Sequence, residues 1–230
     1  MSTRADIPHR LTYTCNCGWI DVGHLQSVDT PRNRHASASY LWKDILLERG
    51  LKVSGHNNHH LVMYRQAMSK MGFSRDFTKF YFVRKGLPLA VKRSVALAIF
   101  MEVSMGFENV QASLSMLTDS GFSEEDLVSN LIGFYVAVLG NVDWRGQCKP
   151  VSMQASLKVW DAVGPVGTRK NQHFLPQFHA CEECQTVHHL RQPYFPALFA
   201  SIRPAQKGVD FFEATSGLPV ASHLLSTLFR

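Results

Sequence analysis

The 230 residues contain no apolar stretch long enough to cross a bilayer, because the longest run, Val95 to Phe107, is interrupted by Glu102. The N-terminal MSTRADIPHR has no apolar core of the kind a secretory signal requires. These absences predict a protein with no membrane span, cytoplasmic as synthesised, and leave open export by a route that needs no signal peptide. There is no Walker-type phosphate loop, no Gly-x-Gly-x-x-Gly after a strand, no His-Glu-x-x-His and no Gly-x-Ser-x-Gly. Nucleotide-dependent enzymes, zincins and α/β-hydrolases are thereby set aside. No linker, repeat or low-complexity tract divides the chain, so residues 1–230 are read as one domain. Acidic residues are in deficit, 18 against 24 Lys and Arg, giving a formal charge of +6. The basic residues are scattered, and the densest group, Arg84, Lys85, Lys92 and Arg93, is short. A solvated basic face fits this better than a nucleic-acid partner. Five cysteines, an odd number without a secretion signal, argue against a disulfide framework and for reduced thiols, catalysis or metal binding.

A hydrophobic content of 45% with 11% aromatic residues excludes disorder and is enough for one packed core. The expected fold is α+β and mainly helical, a single compact domain around two buried central helices with a few short strands. The first helix lies within Leu87–Leu117, enters at Pro88 and carries Glu102 and Glu108 inside an apolar run. Burying a carboxylate is expensive, so such an acid protonates, pairs with a cation or binds a metal. The second helix is read as Ser123–Leu139, with Ser123 and Asp126 as a capping-box-like start, Glu124 and Glu125 at its positive end, and Gly140 as its stop. Ser129 and Asn130 inside it require internal hydrogen-bond partners. Shorter elements are a helix at Tyr40–Arg49, a strand at Thr78–Arg84, and helices at Val151–Trp160 and Ala221–Phe229. Residues 11–28 begin as a strand, turn at Gly18 and run into a helix carrying Asp21 and His24 at i and i+3. Residues 173–204, dense in Pro, His and aromatics, read as irregular chain packed on the core.

Three blocks resemble an uncharacterised bacterial family, a domain of unknown function. They are Gly18, Trp19, Ile20, Asp21 and His24; Phe107 and Glu108; and Glu125, Asp126, Leu127, Ser129 and Asn130. The likeness spans roughly the first two thirds of the chain. It implies bacterial origin and a shared site, and brings no established activity with it.

Three groups of residues carry chemistry. Cys17, just ahead of the expected helix start, is either a thiol nucleophile with a lowered pKa or, with Cys15, a small buried side chain. Asp21 and His24 with Glu102 or Glu108 could shuttle a proton or hold a divalent metal, or could be a His–carboxylate bond that fixes the core. Glu102 and Glu108 lie about 120° apart on an ideal helix, so only one of them is expected in the site. His179, Cys181, Cys184 and His188 could supply a tetrahedral zinc set, against reduced surface thiols and solvated histidines. The leading reading is a hydrolase-like bacterial enzyme, thiol- or metal-dependent and open to a role as an exported effector, whose polar site joins the Cys17–His24 segment to the central-helix acids and whose substrate the residues do not name. The alternative is a non-catalytic binding or interaction protein with structural zinc in the Cys/His segment.

Overall fold

The structure, a computed structural model, describes residues 2–7, 9–25, 36–50, 53–70, 73–113, 121–185 and 194–214. Strands β1 (Leu11–Thr14) and β2 (Gly18–Asp21) form an antiparallel hairpin, with Tyr13 opposite Trp19 and Leu11 opposite Asp21. Gly18 begins β2 at φ +64°, and a Cβ there would stand 2.4 Å from the carbonyl oxygen of Gln177, so only glycine fits. The hairpin runs into the single turn α1 (Val22–Leu25). Asp21 therefore ends a strand instead of sharing a helix with His24, because pairing with Leu11 carries the extended backbone three residues past the turn.

Helix α2 (Ala38–Leu47) is capped by the Ser37 side chain, which accepts from the Tyr40 backbone N–H. Strands β3 (His59–Lys70) and β4 (Phe73–Arg84) make a twelve-residue hairpin, joined at the β4 edge by β5 (Phe211–Glu213). This sheet is longer than the few short strands expected. Its alternation is hard to see in the sequence because Leu61, Val62, Met63 and Tyr64 are all buried.

Helix α3 (Leu89–Ser113) follows Pro88, packs on α2, β3 and β4, and buries Val95, Ala96, Ile99, Phe100, Val103 and Phe107. Leu97, Ser104 and Glu108 are buried as well, and no residue from 91 to 108 is exposed, so this part of the helix is covered on most of its circumference. Helix α4 (Asp126–Leu139) packs on α3, α2 and α1 and ends at Gly140. Gly133 lets α1 approach, since a Cβ there would lie 2.9 Å from the His24 carbonyl oxygen. Helices α5 (Trp144–Cys148) and α6 (Met153–Val163) complete the α-helices among the described residues, and α6 packs on β1.

Two apolar clusters result. One joins α2, α3, α4 and the inner sheet face and includes Cys17 and Ile20. The other, around Tyr13, Trp19, Val159 and Trp160, lies on the opposite side of the small hairpin. Trp19 and Ile20 point to different clusters, as successive strand residues must. An α+β architecture is thus established. Among the described residues no helix is long and apolar enough to cross a membrane. The expected helix at Ala221–Phe229 lies outside the described residues.

Candidate active site

A cavity of about 300 Å³ lies where the end of β2, α1, the second half of α3 and the start of α4 meet. Asp21, His24, Glu108, Glu125, Asp126 and Asn130 line it, with Arg10 at one side. Each side chain is placed by backbone that has another reason to be there. Ser129, fully buried on α4, accepts from the Asp21 backbone N–H at 2.9 Å, fixing the strand end against the helix. The Asp21 carboxylate is bonded to the Arg10 guanidinium and caps the Gly23 N–H at 2.8 Å. The His24 ring stands between two carboxylates, with Nε2 3.9 Å from Asp21 Oδ2 and Nδ1 3.8 Å from Asp126 Oδ1. Both separations exceed a direct hydrogen bond.

Three carboxyls close the other side. Glu108 Oε2 accepts from the Phe122 N–H at 2.7 Å, Asp126 Oδ2 from the Ser123 N–H at 3.1 Å, and Glu125 Oε1 from the Ser2 hydroxyl at 2.9 Å. All three donors are neutral. Burial and mutual repulsion, with Asp126 acting on both glutamates, push Glu108 and Glu125 up to about 8. Burial raises Asp126 to about 7. Carboxyls that hold or release a proton near neutrality are suited to general acid–base work.

Several expected residues belong elsewhere. Glu102 is partly exposed on another face of α3, with the Lys79 Nζ at 2.6 Å and the Lys207 Nζ at 2.8 Å. Those lysines overcome its burial and hold its carboxyl below the usual range. His24 packs against α4 through α1, so its acidic neighbour is Asp126 and not Glu102. Cys17 occupies the β1–β2 turn, fully buried beside Cys148, and no helix starts there. Burial pushes its thiol far up, the reverse of what a nucleophile needs.

The Cys/His segment is also rearranged. Cys184 is disulfide-bonded to Cys15, 169 residues away, so the expectation of reduced thiols fails there and its sulfur offers no thiolate to a zinc ion. His179 Nε2 lies 2.5 Å from Glu124 Oε1, whose other oxygen accepts from Arg169 Nε at 2.6 Å. The His179 backbone is held by the Tyr13 hydroxyl. These bonds anchor the 173–185 strap to the core. Cys181 is a free, half-buried thiol, and His188 lies outside the described residues.

Sequence reasoning treated Glu124, Glu125 and Asp126 as ordinary first-turn acids of a helix. They are buried instead, each at 9% exposure or less, because residues 121–125 are covered by residues 166–171 through Glu124 N–H to Val166 O and Asn171 N–H to Phe122 O. The available signal was three consecutive acids with no Lys or Arg within ten residues on either side. Arg10, a polar residue in a turn-rich N-terminus, carried no signal. Comparison with family models, with curated proteins and with solved structures gives no match.

Proposed function

We propose that the cavity is the active site of a hydrolase that works by general acid–base catalysis. One observation carries the reading: the His24 imidazole sits between Asp21 and Asp126 on the wall of a cavity that also holds Glu108 and Glu125, carboxyls that exchange protons near neutrality. In this reading His24, flanked by the Asp21 and Asp126 carboxyls, takes the proton of an attacking water. A protonated carboxyl of the Glu108, Glu125 and Asp126 group gives a proton to the leaving group. The two steps balance, one proton removed from water and one delivered to the departing atom. Convergence supports the reading, since Asp21 and His24, Phe107 and Glu108, and Glu125, Asp126 and Asn130 come from three separate stretches of the chain and all line this cavity. The Cys15–Cys184 bond supports a place of action outside a reducing compartment, as an exported protein would have.

The test is a panel of chromogenic glycosides, esters and peptides, assayed with the wild type and three variants. His24→Ala and Glu108→Gln should each lose about 10²- to 10⁴-fold in kcat. Glu102→Gln should retain it. Full turnover by His24→Ala, or no turnover of any class by the wild type, would count against the proposal.

A further inference from the structure

The charges around the cavity do not balance. Asp21 has Arg10, but Glu108, Glu125 and Asp126 are left with neutral donors, and the ion pairs formed by described residues give none of the three a lysine or arginine. Lys170 favours their ionised forms only in part, acting on Glu108 and Asp126. One oxygen stands out. Glu125, 2% exposed, lines the cavity, and its Oε2 is buried without a hydrogen-bond partner among the described residues. His24 Nδ1, on the same wall, likewise has none. A buried carboxylate oxygen without a donor forfeits roughly 1–3 kcal/mol of hydrogen bonding or more, which a native structure tolerates where a ligand supplies the donor.

We propose that the cavity binds a ligand bearing a protonated nitrogen, an ammonium or guanidinium group, donated to Glu125 Oε2 and flanked by Asp126 and Glu108. This rests on the cavity being the working site and adds the chemical class of its substrate. The shape of the donor set selects an organic cation over a bare metal ion. Among the described residues no three His, Cys, Asp or Glu side chains converge as metal coordination requires. Oxygens spread around about 300 Å³ suit a group that presents several N–H donors in different directions, as a guanidinium does. The aliphatic part of such a ligand has Phe107, Ala36 and Ala67 to lie against.

Binding has a proton signature. The titratable and charged groups lining the cavity are Arg10 just before β1, Asp21 at the end of β2, His24 on α1, Glu108 on α3, and Glu125 and Asp126 at the entry to α4, with Lys170 acting on Glu108 and Asp126 from outside the lining. An arriving cation favours the ionised carboxylates, so protons held there at neutral pH must leave. About one proton should be released per cation bound at pH 7, and affinity should fall as pH is lowered toward 5.5.

The experiment is calorimetric titration of the full chain with agmatine, with the uncharged analogue N-butylurea, and with Ca²⁺, Mg²⁺ and Zn²⁺, in two buffers of different ionisation enthalpy. Agmatine should bind with proton release and N-butylurea should not. Glu125→Gln should weaken agmatine on the order of tenfold or more, and Glu102→Gln by less than twofold. Asp126→Asn serves if Glu125→Gln does not fold, judged by circular dichroism. Saturable metal binding that displaces agmatine, equal binding of N-butylurea, or no agmatine binding would each overturn the proposal. The hydrolase reading fails separately, if His24→Ala keeps full turnover, so a neutral substrate hydrolysed in a His24-dependent way would sink the cation alone.

Discussion

Glu102 and Glu108 are the same residue on the same helix, six positions apart, and they end in opposite states. Glu102 has two lysines within 2.8 Å, and its carboxyl titrates below the ordinary range. Glu108 is 2% exposed, accepts one backbone N–H, faces Asp126, and is pushed up to about 8. The helix contributes only direction, since 120° of rotation separates the two. Their neighbours decide the rest. Where α3 meets β4 and β5, the chain supplies Lys79 and Lys207, and the acid ties elements together. Where α3 meets the start of α4, it supplies more acid, and the charge is left for protons or a ligand.

The largest expected effect is a difference in sign. A carboxyl with a raised folded pKa destabilises the fold once pH passes its unfolded value, and it does so in full above its folded value. Glu108→Gln should therefore be more stable than the wild type at pH 8.5, on the order of a few kcal/mol, and nearly equal to it at pH 5. Glu102→Gln should be less stable at pH 7, by about 1 kcal/mol or less, because its ion pairs are partly solvated. Urea denaturation at the three pH values checks both. A destabilised Glu108→Gln at pH 8.5 would mean that its carboxyl is as well compensated as that of Glu102.

Next in size is the wild-type pH profile. Glu108, Glu125 and Asp126 hold protons in the folded state that the unfolded chain has already lost, so stability should fall as pH rises. His60 works the other way. It is 1% exposed and depressed by burial to about 4, so its contribution grows as pH rises from about 4 to its unfolded value near 6.5. Between pH 6.5 and 8 only the acids remain, and stability should drop by about 1.4 kcal/mol per pH unit for each proton retained. Replacing Glu108 by Gln should reduce that slope, and replacing Glu102 should not. A flat profile from pH 6.5 to 8 would break the contrast between the two regions.

What the sequence made legible was whatever depends on local period and capping. The run Val95–Phe107 and the stop at Gly140 place α3 and α4, Ser152 capping α6 agrees with a helix expected at Val151–Trp160, and rotation along α3 separates Glu102 from Glu108. The pairing of Asp21 and His24 with one central-helix acid around a cavity was also readable, with Glu108 as the member. What was not legible depends on distant chain. Cys184 reads as half of a Cys-x-x-Cys until Cys15 is known to lie against it, 169 residues away. Glu125 reads as an acid suited to the positive end of a helix and Asp126 as part of its capping box until residues 166–171 are laid over residues 121–125. Cys17 looked like a residue before a helix, because the turn Cys15–Cys17 between two four-residue strands leaves too little alternation to reveal a hairpin.

The smallest effect sharpens the structural side of the comparison. Lys79 and Lys207 both reach Glu102 and Glu213, but the Lys79 side chain is 23% exposed and that of Lys207 is 42% exposed. Removing either charge leaves the other in place, so neither carboxylate loses all compensation. Lys79→Met keeps most of the aliphatic stem and should destabilise by about 1 kcal/mol, and Lys207→Met by roughly 0.5 kcal/mol or less, within reach of solvent screening. The pH dependence identifies the source. Glu102 is lowered, so the stability it gains from lysine is present above its unfolded value near 4.5 and disappears as pH falls through its folded value. Both losses should therefore shrink toward zero at pH 3. In 0.5 M salt at pH 7 the Lys207→Met effect should fade first, since the more exposed pair is the more screened. Losses that persist unchanged in acid would show that the lysines act by packing, Lys79 over Phe77 and Lys207 over Tyr81, and not by compensating Glu102.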